Sequence, residues 1–400
     1  MSSTKLQKLD EIISNYIEKD KDIIDMQVSN LTNPGDNWGS QIYKVDLKLK
    51  TKTTESEELY LVAKQIPNSE YYQQVFNVQV TFNQEKEFYK TVVPTLHDFQ
   101  RKMGTKILDA FPKFYGARNS LNCENGKVDK DGLIVVENLK IKGYKNLDRF
   151  VGFDLSTSRT ILKTLAQFHA IPLAIKLKEP EVFEQKIKPH LSCFLPKLPK
   201  VNLSSETAEL VKLLEESEEC RHLTGVLEKS IEYFLLFPEI YREPFSTVVH
   251  RDFWVNNIMV NSKNDVKIVD FQMYTYDSPI VDLFFFLFTS VQTEVLKENL
   301  DNLLHFYHEN FIQTLVDHKC QTEAFSYEKF LDEISACGKY EFGRVMFMLC
   351  LVVRGPKEFS LDQDNTSDTP KLNTKHLTTD DKDRVFWFAQ ECYRRGWLNF

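Results

Sequence analysis

A chain of 400 residues, 42% hydrophobic and 27% charged, has the length for about two or three domains or one two-lobed fold, and can bury a large interior. Its 58 acidic residues outnumber 50 basic ones, and the net charge of -8 argues against nucleic acid and anionic membrane surfaces as partners. Seven cysteines, at 123, 193, 220, 320, 337, 350 and 392, are scattered and form no CxxC pair, so reduced, buried thiols are expected rather than zinc or redox chemistry.

The opening MSSTKLQKLDEIISNYIEKD lacks the continuous apolar core of a signal peptide and reads as an amphipathic surface helix through Leu6, Leu9, Ile13 and Ile17, which points to a cytoplasmic protein. QIYKVDLKLK from Gln41 and LYLVAKQIP from Leu59 read as two antiparallel strands joined by a polar turn. Just before them, NPGDNWGS places Gly35 and Gly39 beside Ser40. Backbone N–H groups of such a loop can approach phosphate oxygens, although two glycines also serve an ordinary turn.

A helix is expected from Val75, with Val75, Val78, Phe82, Glu85, Tyr89 and Val92 stepping by three or four along one face. Every member is apolar except Glu85. A carboxylate on a core-facing stripe needs a cation or good hydrogen bonds, and Lys64, late in the preceding strand, is the partner expected for it. Glu87 falls on the opposite face and is expected in solvent. A strand lysine held by a helix glutamate is one way to aim an ammonium at nucleotide phosphates.

GLIVVENLKIKGY from Gly132 is an apolar strand ending at Glu137, where a hinge between lobes would fit, and backbone groups of Glu137 and Leu139 could then pair with an adenine edge. LSTSRTILKTLAQFHAIP from Leu155 predicts a helix ending before Pro172, with His169 on its core face as a packing residue that has no carboxylate at ligand spacing. From about residue 175 to 245 the pattern is helical. Apolar runs around LFFFLF from Leu283 and VMFMLCLVV from Val345 are too short or interrupted to span a bilayer and read as core helices. The polar stretch from Asp362 reads as a loop.

The most informative segment is HRDFWVNNIM from His250, followed by KIVDFQ ending at Gln272. Asp252, Asn257 and Asp270 have the layout of a phosphotransfer site: one carboxylate to orient a hydroxyl and take its proton, an amide and a second carboxylate to hold magnesium against phosphates. Magnesium takes hard oxygen ligands and needs only one or two from protein. SPIVDLFFFLFTSV predicts a helix capped by Ser278, with Asp282 as a structural acid near its positive end. The stretch from Asp270 to Asp282 is too short for the activation loop of a protein kinase and contains no APE, so no protein substrate is expected. Arg251 therefore has no phosphorylated loop to hold.

LVAKQIP, the Glu85 to Tyr89 segment followed by VVP, VVENLKIKGYKNLDR, TLAQFHA, HRDFWVNNIM, VDFQ and SPIVDLFFFLFTS together resemble the insect ecdysteroid kinase-like group, also described as CHK kinase-like proteins and related to choline kinases and aminoglycoside phosphotransferases. The resemblance implies an α+β, two-lobed protein-kinase-like fold: an N-lobe over 1–138, with a mainly antiparallel sheet and one key helix, and a mainly helical C-lobe over 139–400. It implies Asp252 as catalytic base, Asn257 and Asp270 as magnesium ligands, Lys64 with Glu85 at the phosphates of ATP, and Asp282 as support for the catalytic loop. Two departures stand out: Arg251, where the group usually has Gly, and Asn138, where it often has Asp. The expected activity is ATP-dependent phosphorylation of a hydroxyl on a small, apolar molecule, with the 22-hydroxyl of an ecdysteroid as leading candidate. A choline-like or foreign alcohol, which would call for an anionic or aromatic cage, is the alternative acceptor. A catalytically silent binding protein of the same fold is the non-enzymatic alternative, and its expected sign would be loss of Asp252, Asn257 or Asp270.

Overall fold

The computed structural model describes residues 6–31, 40–51, 56–122, 126–191, 203–236, 242–350 and 374–400. Five strands, β1 (Lys21–Asn30), β2 (Gln41–Thr51), β3 (Ser56–Gln65), β4 (Phe114–Arg118) and β5 (Leu133–Glu137), form an antiparallel sheet in the order β1-β2-β3-β5-β4. The pleat sorts its side chains into two faces. Val45, Leu47, Leu49, Leu61, Ala63, Leu133 and Val135 share a core with Leu6, Leu9 and Ile13 around the short helix α1 (Leu9–Ser14). Lys64, paired in register with Ile134, is on the opposite face. Gly116 of β4 lets α1 approach: its φ is +123° and a Cβ there would lie 2.4 Å from Ile12 Cγ2. Strand β1 was not expected from the sequence.

The helix predicted from Val75 is broken. Helix α2 (Glu70–Val75) ends, Asn77 turns left-handed at φ 43°, and α3 (Val78–Glu87) begins afresh. A π-type turn over Phe88–Val92 then leads into α4 (Val93–Met103). Val78, Phe82, Glu85, Tyr89 and Val92 are nevertheless all buried, because the wider turn carries the stripe onward. Glu87, expected in solvent, is half-buried and accepts a hydrogen bond from Thr91 Oγ1 at 2.8 Å.

Beyond Glu137 the chain leaves the sheet. Helix α5 (Leu155–Lys178) is capped by Asp154, which accepts from Thr157 N at 2.7 Å, and it runs through Pro172 instead of stopping there. Ile171, Leu173, Ala174 and Ile175 are at most 1% exposed, so burial of the continuing turns outweighs the lost backbone bond. Next to this proline the His169 carbonyl accepts from the Thr247 hydroxyl at 2.8 Å. The remaining helices are α6 (Leu203–Glu215), α7 (Thr224–Leu236), α8 (Ile280–Ser290), α9 (Thr293–Asp317), α10 (Tyr327–Met348) and α11 (Thr379–Arg394). Every residue of α8 is buried, as its continuous apolar run requires. Its Ncap is Pro279 rather than Ser278, whose hydroxyl accepts from Ile280 N at 3.4 Å. One core runs unbroken from Ile66, Ile134 and the α3–α4 side chains through α5 to α11. The architecture is therefore an antiparallel sheet with its helix beside a helical lobe, the two-lobed α+β kinase-like fold. Of the polar stretch read as a loop, the residues from Asp362 to 373 lie outside the described set, and its end, from Thr379, is the first turn of α11 instead.

Candidate active site

Two small antiparallel pairs organise the segment from Thr247 to Asp277. Strand β6 (Thr247–Val249) pairs with β9 (Thr275–Asp277), and between them β7 (Ile258–Val260) forms a hairpin with β8 (Val266–Ile268). Ile258 faces Ile268, so Asn257 just before β7 and Asp270 just after β8 emerge at the same end of the hairpin, tied by a Val269 N to Asn257 O bond of 3.0 Å. Asn257 Nδ2 donates to the carbonyl of Asp252 at 2.9 Å and to its Oδ2 at 2.8 Å. Sequence neighbours and a hairpin thus bring Asp252, Asn257 and Asp270 together.

Lys64 reaches this cluster from the sheet. Its Nζ donates to Glu85 Oε2 at 2.6 Å and to Asp270 Oδ1 at 2.8 Å, with Glu85 only 6% exposed. One ammonium therefore serves two carboxylates. Burial alone would lower the pKa of Lys64, but Asp270 and Glu85 more than reverse this and raise it well above its ordinary value. Burial pushes Glu85 up to about 7, against the pull of Lys64 and with repulsion from Asp270. Burial likewise raises Asp252.

Helix α3 and the π-type turn after it are bound to the segment that follows Asp270 by more than charge. Phe88 stacks on Phe271 with centroids 3.6 Å apart and planes 9° apart. Gln84 Nε2 donates to the Tyr274 carbonyl at 2.9 Å. Nothing in the local sequence pattern marks Gln84 or Phe88 as partners of that segment.

The loop before Asp252 rests on Asp282. Its Oδ2 accepts from His250 N at 2.5 Å and its Oδ1 from Arg251 N at 2.7 Å, while His169 Nε2 stands 3.1 Å from Oδ2. Burial would raise this acid, but the hydrogen bonds from His169 and from the His250 backbone N–H hold it below the usual carboxylate range. His169 thus has a carboxylate partner, correcting the expectation from spacing: α5 and α8 are distant in sequence and only their packing joins them. Burial keeps His169 neutral, so Nε2–H donates to Asp282 and Nδ1 accepts from the Tyr307 hydroxyl at 2.7 Å. His250 is also a bridge: Nδ1 accepts from Asp252 N at 3.2 Å and Nε2 donates to the Val269 carbonyl at 3.0 Å.

At the end of β5, Glu137 N donates to Lys113 O at 2.8 Å and the Glu137 carboxylate pairs with Lys142. Asn138 caps the turn over Leu139–Lys142 by accepting from Lys140 N at 3.1 Å, a task either Asn or Asp performs. Leu139, Tyr144 and Met259 form a small apolar cluster with Val269, between this turn and the β7–β8 hairpin. Ser40 is half-buried just before β2, and Gly35 and Gly39 lie outside the described residues.

Among the described residues no group of three or more His, Cys, Asp or Glu stands at metal-binding spacing. The donors beside Asp252 are instead one carboxylate and one amide, a set that suits magnesium shared with phosphate oxygens better than a cage of protein ligands.

Solved structures similar to this chain include spectinomycin phosphotransferase in complex with ADP and spectinomycin, at 12% identity, with 99% of each chain covered and a TM-score of 0.41. An aminoglycoside phosphotransferase from Alicyclobacillus acidocaldarius is similar at 10% identity over 96% of this chain and 93% of its own, with a TM-score of 0.41. An ethanolamine kinase from Plasmodium vivax is similar at 12% identity over 91% and 81%, with a TM-score of 0.40. The search of curated proteins found no match. The family model described as ecdysteroid kinase-like matches residues 34–337, which takes in Lys64, Glu85, Asp252, Asn257, Asp270 and Asp282. The chain belongs to the ecdysteroid kinase-like family and is a small-molecule kinase.

Proposed function

We propose that this protein transfers the γ-phosphoryl group of ATP to a hydroxyl of a small, apolar molecule, with the 22-hydroxyl of an ecdysteroid as the leading acceptor. The observation that carries the reading is Lys64, whose ammonium bonds Glu85 and Asp270 at once and so joins the sheet to the loop. Arriving phosphate oxygens take the place of Asp270 at that ammonium, while Glu85 keeps it aimed. Asp252, raised by burial and oriented by Asn257, accepts the proton of the attacking hydroxyl. Asn257 and Asp270 are the residues that would hold magnesium, which when bound supplies positive charge against the phosphates. The apolar cluster of Leu139, Tyr144 and Met259 lies where an adenine would stack, next to backbone groups of Glu137 and Leu139 that can pair with its edge. Ser40 and Gly39 are assigned to the phosphates on the sequence pattern alone.

The lobes divide between residues 138 and 139, where the sheet ends. The acceptor enters from the helical side, and neither nucleic acid, membrane nor protein is a substrate. Among the described residues no helix is long and apolar enough to cross a membrane, and the cytoplasm is the proposed location. Phosphorylation would give an apolar alcohol about -1.5 to -2 charges at neutral pH, enough to bar it from an apolar receptor pocket. The test is incubation of the purified protein with labelled ATP, magnesium and a panel of ecdysteroids, sterols, choline-like and plant-derived alcohols. Transfer to an ecdysteroid is expected. Transfer only to a cationic alcohol would replace the acceptor, and transfer to none would leave the reading without support.

A further inference from the structure

Arg251 has φ +71°, a left-handed conformation in which the Cβ of a non-glycine residue is crowded. Its surroundings hold it there. The Arg251 N–H donates to Asp282, and its carbonyl accepts from Nη2 of Arg344. Its guanidinium stands 3.4 Å from Asp277 Oδ2 and 3.5 Å from Glu341 Oε1. Arg344 is itself fixed: Nη1 donates to Glu341 Oε2 at 2.9 Å, and the guanidinium carbon lies 4.0 Å from the centre of the Phe285 ring. The neighbouring Gly343 lets α10 press against α7, since a Cβ there would come within 2.8 Å of Ile231 N, and its own N–H donates to Ser230 Oγ at 2.7 Å.

The buried face of α10 is unusual for a core helix. Glu333, Cys337, Glu341 and Arg344 follow one another at helical spacing and are all buried. Polar groups survive there only if each is paired, and two arginines facing Asp277 and Glu341 leave the inner end of this stripe electrically balanced. The arrangement ends at the peptide joining Arg251 to Asp252.

We propose that Arg344 is a positioning residue for Asp252: its guanidinium clamps the Arg251 carbonyl and holds the strained peptide so that the carboxylate of the next residue keeps one direction. The role rests on the kinase reading of Asp252. The partners of Arg344 are the Arg251 carbonyl, Glu341 and the Phe285 ring, and none of the residues assigned to ATP, so the effect belongs to kcat and not to KM for ATP. It also depends on the side chain at 251. Glycine adopts the left-handed conformation without strain and needs no clamp.

The experiment compares the unaltered full chain with R344M, R251G and the double variant. In the Arg251 background R344M should lower kcat by about tenfold, the population shift that left-handed strain of this size produces, while in the R251G background the loss should shrink to less than about threefold. KM for ATP should stay within about twofold throughout. The melting midpoints of the four proteins form the same cycle without any need for turnover, and R344M should destabilise the unaltered chain less than it destabilises R251G, because only Arg251 recovers backbone strain when the clamp is lost. Equal losses of kcat in both backgrounds, or a rise in KM for ATP at unchanged kcat, would overturn the assignment. If R344M does not fold, R344K takes its place, keeping the charge while losing the planar fork. An unaltered chain that transfers no phosphate would overturn the kinase reading and the catalytic role with it. The melting cycle would still judge the clamp, and additive midpoints would overturn it.

Discussion

On the sheet side of the site, Lys64 is held by charge, one ammonium between carboxylates from α3 and from the segment after β8. On the loop side, Asp252 is held by hydrogen bonds whose anchor is Asp282, fully buried and touched by two backbone N–H groups and His169. The contrast separates an adjustable half from a fixed one. Two anions around one cation leave an unmatched negative charge, which an incoming cation and phosphate can rearrange. Backbone amides on a buried carboxylate have no other partner to turn to, and opening them exposes unsatisfied groups.

Breaking the fixed half should give the largest effects. D252N removes the proposed proton acceptor with little change of shape and should cost about 10² to 10⁴ in kcat at unchanged melting temperature; a rate within a few-fold of wild type would remove Asp252 from the chemistry. D282N leaves two backbone donors and a histidine facing an amide, and should cost about 3–5 kcal/mol of stability, read by denaturant unfolding, together with kcat. Stability loss without any fall in kcat would show that the loop can aim Asp252 unaided.

The adjustable half should respond more gently. E85Q keeps a hydrogen bond to Lys64 and loses the charge, so nucleotide affinity should fall by about 1.5–3 kcal/mol, on the order of tenfold to a hundredfold in Kd by calorimetry. Unchanged affinity would reduce Glu85 to a packing residue.

The smallest effect sharpens the comparison through pH, because Glu85 and Asp282 carry opposite shifts. Glu85 is raised from 4.5 to about 7, so its contribution to stability is present below 4.5 and lost as pH rises through about 7. Asp282 is lowered from 3.8, so its contribution is present above 3.8 and lost as pH falls further. Melting curves across pH should therefore show wild type losing ground to E85Q on the alkaline side and to D282N on the acid side. Parallel curves would show that neither proton is linked to folding.

Much of this was legible in the chain. The alternation in β2 and the unbroken apolar run of α8 state their burial directly, and Glu85 betrays itself as the one charge on an apolar stripe. Asp252, Asn257 and Asp270 lie close enough in sequence for a hairpin to gather them. Pro172 misled because local propensity is a weak constraint where a long apolar face continues past it. His169 misled because its acid comes from another helix. Arg251 gave no sign of its neighbours: Glu341 and Arg344 lie far along the chain, and a polar stripe on α10 acquires meaning only once that helix is packed.

By itself, then, the sequence determined which side chains could carry chemistry and the local turns that display them, since period, charge and short-range spacing act within a few residues. Tertiary structure decided how those groups are held: which carboxylates share Lys64, what anchors the loop before Asp252, and why a left-handed arginine is tolerated beside it. Those outcomes depend on burial and on contacts between distant segments, and both come into being only when the helices and sheet close around the loop.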